Sequence, residues 1–93
     1  MPSQAAAKQK QALRLLLVAS PLHLARKDLR GLLEFLDNQK NHFELQLTVA
    51  DPQKEPELLE LYRLVATPAL IKLEPAPRQV FAGNAILQQM EHW

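Results

Sequence analysis

The sequence predicts an α/β fold, a mixed four-stranded sheet with the element order β-α-β-α-β-β-α. Three observations predict it. Leu13, Leu15, Leu16, Leu17, Val18 and Ala19 form an apolar run of strand length, the pattern of a central strand covered on both faces. Phe43, Leu45, Leu47 and Val49 alternate with Glu44, Gln46 and Thr48, the period-two signature of a half-exposed strand. Pro68 stands directly before another apolar run, residues 69–73. Proline donates no ladder hydrogen bond, so it belongs at a strand's first residue, at an edge or in a tight bend.

The elements follow in order. Residues 1–10 are polar and rich in Ala and Gln, which predicts a disordered tail ahead of a single domain over residues 11–93. Ser20-Pro21 ends the first strand. Over residues 22–39 the apolar positions Leu22, Ala25, Leu29, Leu32, Leu33 and Leu36 recur at spacings of three and four, which predicts one amphipathic helix with Arg26, Lys27, Arg30 and Glu34 on or near its other face. Gly31 weakens that helix by about 1 kcal/mol relative to alanine and marks a close approach to the sheet. After a polar turn at residues 38–42 comes the alternating second strand, with Gln46 and Thr48 outward, and Asp51-Pro52 breaks it. Glu55-Pro56-Glu57 starts a short helix, with acidic residues at the positive end of its dipole. Leu58, Leu59, Leu61, Tyr62 and Val65 are its expected inward residues. The third strand follows Pro68, residues 74–77 turn, and Gln79-Val80-Phe81 returns antiparallel to it. Gly83-Asn84 breaks that strand, and residues 85–93 begin a last helix with Ile86, Leu87 and Met90 inward. The abrupt stop at Trp93 suggests a domain cut from something longer. The connections permit parallel crossovers in the first half and require a hairpin in the second. This order is the thioredoxin arrangement.

Composition limits the chemistry. Ninety-three residues make one domain with enough chain for a core. With no cysteine, disulfides, thiol catalysis and thiolate metal sites are excluded. His23, His42 and His92 share no ligand spacing, two glycines cannot build a phosphate loop, and no serine sits in a Gly-x-Ser-x-Gly elbow. Glu34 and Asp37 read as a solvated helix face, not as a general acid and base. A net charge of +1, without basic residues interleaved with aromatics, gives no reason to expect nucleic acid. The first apolar run lacks a cleavage site and is too short to span a membrane, so a cytoplasmic location is expected.

Two segments carry a resemblance. Asp51-Pro52-Gln53-Lys54-Glu55-Pro56, followed by Arg63-Leu64-Val65-Ala66-Thr67-Pro68-Ala69-Leu70, resembles the KaiB family of the cyanobacterial circadian clock. That family carries an aspartate, a lysine three residues on, a proline two further, and an Ala-Thr-Pro-small-Leu motif. Leu16-Leu17-Val18-Ala19 is similar to the family's first strand, and Pro77-Arg78 with Gly83 to its hairpin. Within the family the details are closer to the sensory domain at the N-terminus of SasA-type clock histidine kinases. Ser20-Pro21-Leu22 stands in place of KaiB's longer Gly-Asn-Thr loop, and the segment after Gly83 resembles the Gln-rich last helix of the sensory domain.

The resemblance implies a thioredoxin-like fold with a cis Pro68 and no cofactor. It also implies a monomeric, non-catalytic domain that docks on the N-terminal ATPase ring of KaiC, in competition with KaiB, and serves the rest of a kinase chain. Residues at the positions of Gln46 and Thr48 contact KaiC in the family, although a polar strand face is as often plain solvated surface. Arg63 stands where KaiB has a lysine, and its planar fork suits a carboxylate on a partner; otherwise it is a cation at a helix C-terminus. Lys54 and Tyr62 flank this region, Tyr62 closing the core with its hydroxyl outward. His23, at the start of the first helix, lies where thioredoxins keep their reactive pair and is a further contact candidate. Pro68 is assigned a structural role at the strand entrance. Two other readings remain open: a free-standing, fold-switching KaiB homologue, and a cysteine-less thioredoxin-like module that binds peptides.

Overall fold

In the computed structural model, which describes residues 11–82 and 86, the apolar run forms the strand around which the rest is arranged. β1 (Gln11–Val18) pairs in parallel with β2 (Phe43–Ala50) on one side and antiparallel with β3 (Ala69–Glu74) on the other, and β4 (Gln79–Ala82) extends β3 by an antiparallel hairpin. The sheet order is β2-β1-β3-β4. β1 is therefore interior, and both its faces are buried, as its unbroken apolar run requires.

Paired residues share a face of the sheet, so the registers sort the side chains. Val49, Leu17, Leu70 and Phe81 make one row, and Thr48, Leu16, Ile71 and Val80 the next, on the opposite face. The first face is covered by α2 (Lys27–Gln39), whose Leu29, Leu32 and Leu36 pack with Leu13, Leu15, Leu17 and Leu70. Ile86, helical and buried, joins that cluster. The second face is covered by α3 (Glu57–Leu61) and the loop after it, where Leu58, Leu59, Tyr62 and Leu64 close over Leu16, Val18, Ala50 and Ile71. One charged residue is buried among those described, Lys72, whose long aliphatic stem suits it to such a position.

Three expectations are corrected. The amphipathic stretch over residues 22–39 is two helices, α1 (Pro21–Leu24) and α2. Arg26 adopts an extended conformation between them, φ −75° and ψ 151°, and its guanidinium binds both carboxylate oxygens of Asp28 at 2.7 and 3.1 Å. The break turns Leu22 and Ala25 outward, Leu22 being 82% exposed. Leu61 and Val65, expected inward, are exposed: a helix of five residues offers one stripe, and Leu58 and Leu59 take it. Val49 is exposed too: β2 is an edge strand, and of its alternating apolar residues Phe43, Leu45 and Leu47 pack against the cluster beneath α2 while Val49 does not.

The Thr67–Pro68 bond is cis, with Pro68 fully buried at the start of β3; Glu74–Pro75 and Ala76–Pro77 are also cis. The expected tail at residues 1–10, the break at Gly83-Asn84 and the last helix, Ile86 excepted, lie outside the described residues.

Candidate functional site

The candidate site is built on the sheet face that α3 only partly covers. In the row Thr48–Leu16–Ile71–Val80, the two central residues are buried while Thr48 and Val80, at the sheet edges, are exposed. Gln46 lies two residues before Thr48 on the same face of β2 and is exposed as well. The period-two pattern thus places both polar side chains beside the α3 layer.

Lys54 lies in a turn built by Asp51. The Asp51 carboxylate accepts the Gln53 N–H at 2.9 Å, and its carbonyl accepts the N–H groups of Lys54 and Glu55 at 3.0 and 2.9 Å. Such side-chain-to-backbone bonding is why aspartate starts turns. It leaves Lys54 exposed just ahead of α3.

Arg63 owes its position to the way α3 stops. The Arg63 N–H donates to the Glu60 carbonyl at 3.2 Å and the Leu64 N–H to the Leu59 carbonyl at 2.8 Å. This pair of bonds is a Schellman cap, with Arg63 as the left-handed residue at φ 53°. Glycine ordinarily fills that position because any Cβ is penalised there. The hydrophobic contact that goes with the motif is present in kind, since Leu59 and Leu64 pack on the same core cluster. The cap turns Tyr62 inward onto that cluster and leaves Arg63 exposed. No sequence signal marked the left-handed arginine, because nothing in the sequence around Arg63 resembles a glycine stop.

Arg78, which the sequence reading left out of the site, places its guanidinium carbon 5.2 Å from the centroid of the Tyr62 ring. A cation over an aromatic face at a partly exposed site contributes about 0.5–1 kcal/mol. It ties the β3–β4 hairpin to the end of α3. Arg14 and Glu74 form a 2.6 Å ion pair in which both side chains are about half exposed, an arrangement that adds little stability.

His23 lies in α1, which follows directly on the end of β1. Its Nδ1 accepts the Ser20 N–H and its own N–H donates to the Ser20 hydroxyl, each at 3.3 Å, a capping box that starts α1. Gln46 and Thr48 thus lie on the sheet face against which Tyr62 packs, Lys54 and Arg63 are exposed just before and just after α3, and His23 caps the start of α1. Among the described residues no three His, Asp or Glu side chains gather as a metal site needs, and no helix is long and apolar enough to cross a membrane.

Comparison with known proteins agrees with this architecture. The KaiB domain family matches residues 16–93. The chain is 55% identical over 91 residues to the adaptive-response sensory kinase SasA of one strain of Prochlorococcus marinus, covering 98% of this chain and 24% of that protein. It is 58% identical over 86 residues to the protein of the same name from Synechococcus sp. (strain CC9902), covering 92% and 22%. The chain thus spans about a quarter of the length of the curated relatives it matches. Among solved structures, the N-terminal domain of Synechococcus elongatus SasA superposes with a TM-score of 0.68 at 30% identity, covering 88% of this chain and 78% of that one. The thioredoxin Deadhead of Drosophila melanogaster superposes with a TM-score of 0.67 at 18% identity, covering 98% and 85%. The second likeness establishes the thioredoxin-like fold alone.

Proposed function

The chain belongs to the KaiB domain family, and on that footing we propose that it is the sensory module of a SasA-type histidine kinase. In this reading it is a non-catalytic, cytoplasmic docking domain that binds the N-terminal ATPase ring of KaiC and couples the clock to kinase output. The observation that carries the reading is the identity of 55–58% to SasA kinases over 92–98% of the chain.

Docking uses the face that presents Gln46 and Thr48, with Lys54 and Arg63 at its border and Tyr62 as the partly buried support behind them. Pro68 serves the fold at the start of β3. A guanidinium held out by a backbone cap is presented without the freedom of a loop, so less entropy is lost when it pairs with a carboxylate. Several kinase chains gathered on one hexameric ring gain effective concentration, which favours pairing of their catalytic parts with no further contact. KaiB competes for the same ring, so bound KaiB and bound kinase exclude one another.

Gel filtration of the chain alone, and mixed with cyanobacterial KaiC and ATP, tests this function. The expected result is a monomer that co-elutes with the KaiC hexamer. A chain that elutes apart from KaiC with ATP, with ADP and without nucleotide removes the function and leaves the fold standing.

A further inference from the structure

Residues 61–65 alternate in a way the core does not explain. Tyr62 and Leu64 pack onto the sheet, whereas Leu61 is 64% exposed, Arg63 is exposed and Val65 is 97% exposed. Neither Leu61 nor Val65 belongs to the layer that seals the second face, which consists of Leu58, Leu59, Tyr62 and Leu64 with Leu73. Between them, Arg63 occupies the left-handed cap position at φ 53°, where a chain that needed only the turn would carry glycine. An unfavourable backbone position kept by a charged side chain, flanked by two apolar side chains held in water, points to an interaction surface.

We infer that Leu61, Arg63 and Val65 form a docking ridge, two apolar anchors on either side of a guanidinium, fitting a partner surface that offers an apolar recess bordered by a carboxylate. The inference rests on the proposed docking to KaiC and deepens it, since it names the contacts that dominate. Protein interfaces concentrate their energy in a few apolar or arginine anchors surrounded by a polar rim. Gln46 and Thr48, exposed on the same sheet face, supply that rim. A second copy of this chain is a poor occupant, because a two-fold contact through the ridge sets Arg63 against the Arg63 of its mate.

The test is the affinity of the whole chain for immobilised KaiC with ATP, for Leu61→Glu, Val65→Glu, Val65→Ile and Leu22→Glu. Leu22, 82% exposed on α1, is the control for a charge placed on an exposed apolar residue elsewhere. The ridge predicts that Leu61→Glu and Val65→Glu each weaken binding on the order of thirtyfold or more. Val65→Ile and Leu22→Glu bind as the wild type does, and all four melt where the wild type melts. Wild-type affinity in both ridge glutamate variants, beside a binding wild type, overturns the ridge and leaves the KaiC reading intact. A wild type that does not bind KaiC overturns that reading and the ridge with it. A dimer of the free chain that Val65→Glu dissociates makes a second copy the occupant and overturns the partner assigned here.

Discussion

Charge reversal at Arg63 combined with a new arginine on the strand face, the Arg63→Glu, Thr48→Arg double variant, is expected to weaken KaiC binding at least about a hundredfold, or about 2.8 kcal/mol. Both side chains are exposed and neither belongs to a core cluster, so the fold should survive and its melting temperature should move little. Truncating one partner of a desolvated, hydrogen-bonded charge pair costs about 2–5 kcal/mol, and reversing its sign costs more. The same site permits a separation of stability from function. Arg63→Gly removes the Cβ from a left-handed position and is expected to raise stability by about 1 kcal/mol, which for a domain of this size is a rise of about 4–8 °C in melting temperature. It should weaken KaiC binding at the same time. A variant that melts higher and binds worse identifies Arg63 as a residue kept for the partner at the fold's expense. Unchanged KaiC affinity in the folded double variant would sink the assignment of this face.

The largest effect on stability is expected at the centre of β1. Leu17 is fully buried, lies between Val49 of β2 and Leu70 of β3 in the register, and packs in the cluster beneath α2. Leu17→Ala should cost about 2–5 kcal/mol through lost transfer energy and the cavity left behind. A small domain has about 5–15 kcal/mol in total, so a large part of its stability goes with one side chain. Urea denaturation followed by circular dichroism measures this directly. A loss below about 1 kcal/mol would mean that β1 is not the packed centre of the sheet.

The parts of the fold that were legible are those where burial dictates composition. β1 could be placed at the centre because a strand covered on both faces cannot alternate, and residues 15–19 do not. β2 could be placed at a half-exposed position because it does alternate, and that pattern put Gln46 and Thr48 outside. The remaining features are governed by backbone geometry that leaves little trace in composition. The break between α1 and α2 contains neither glycine nor proline; it is made by Arg26, which turns extended and holds Asp28. The only hint was the acidic residue at position 28, suited to a first helical turn. The exposure of Leu61 and Val65 was hidden for a related reason. An apolar run around a five-residue helix looks like core until the Schellman cap at Arg63 reverses the chain and sends alternate residues outward. The sequence around Tyr62 marks it as closing the core, but its partner Arg78 lies far along the chain, and no local spacing connects the two.

Hydrogen–deuterium exchange of the chain, free and saturated with KaiC in ATP, tests the central claim most directly. Docking through the α3 side of the sheet predicts slowed exchange in the peptides spanning Gln46 to Thr48 and Leu61 to Val65, with little change in α2 around Glu34 and Asn38. Slowed exchange in α2 with the α3 side unchanged would put the partner on the opposite face and contradict the account.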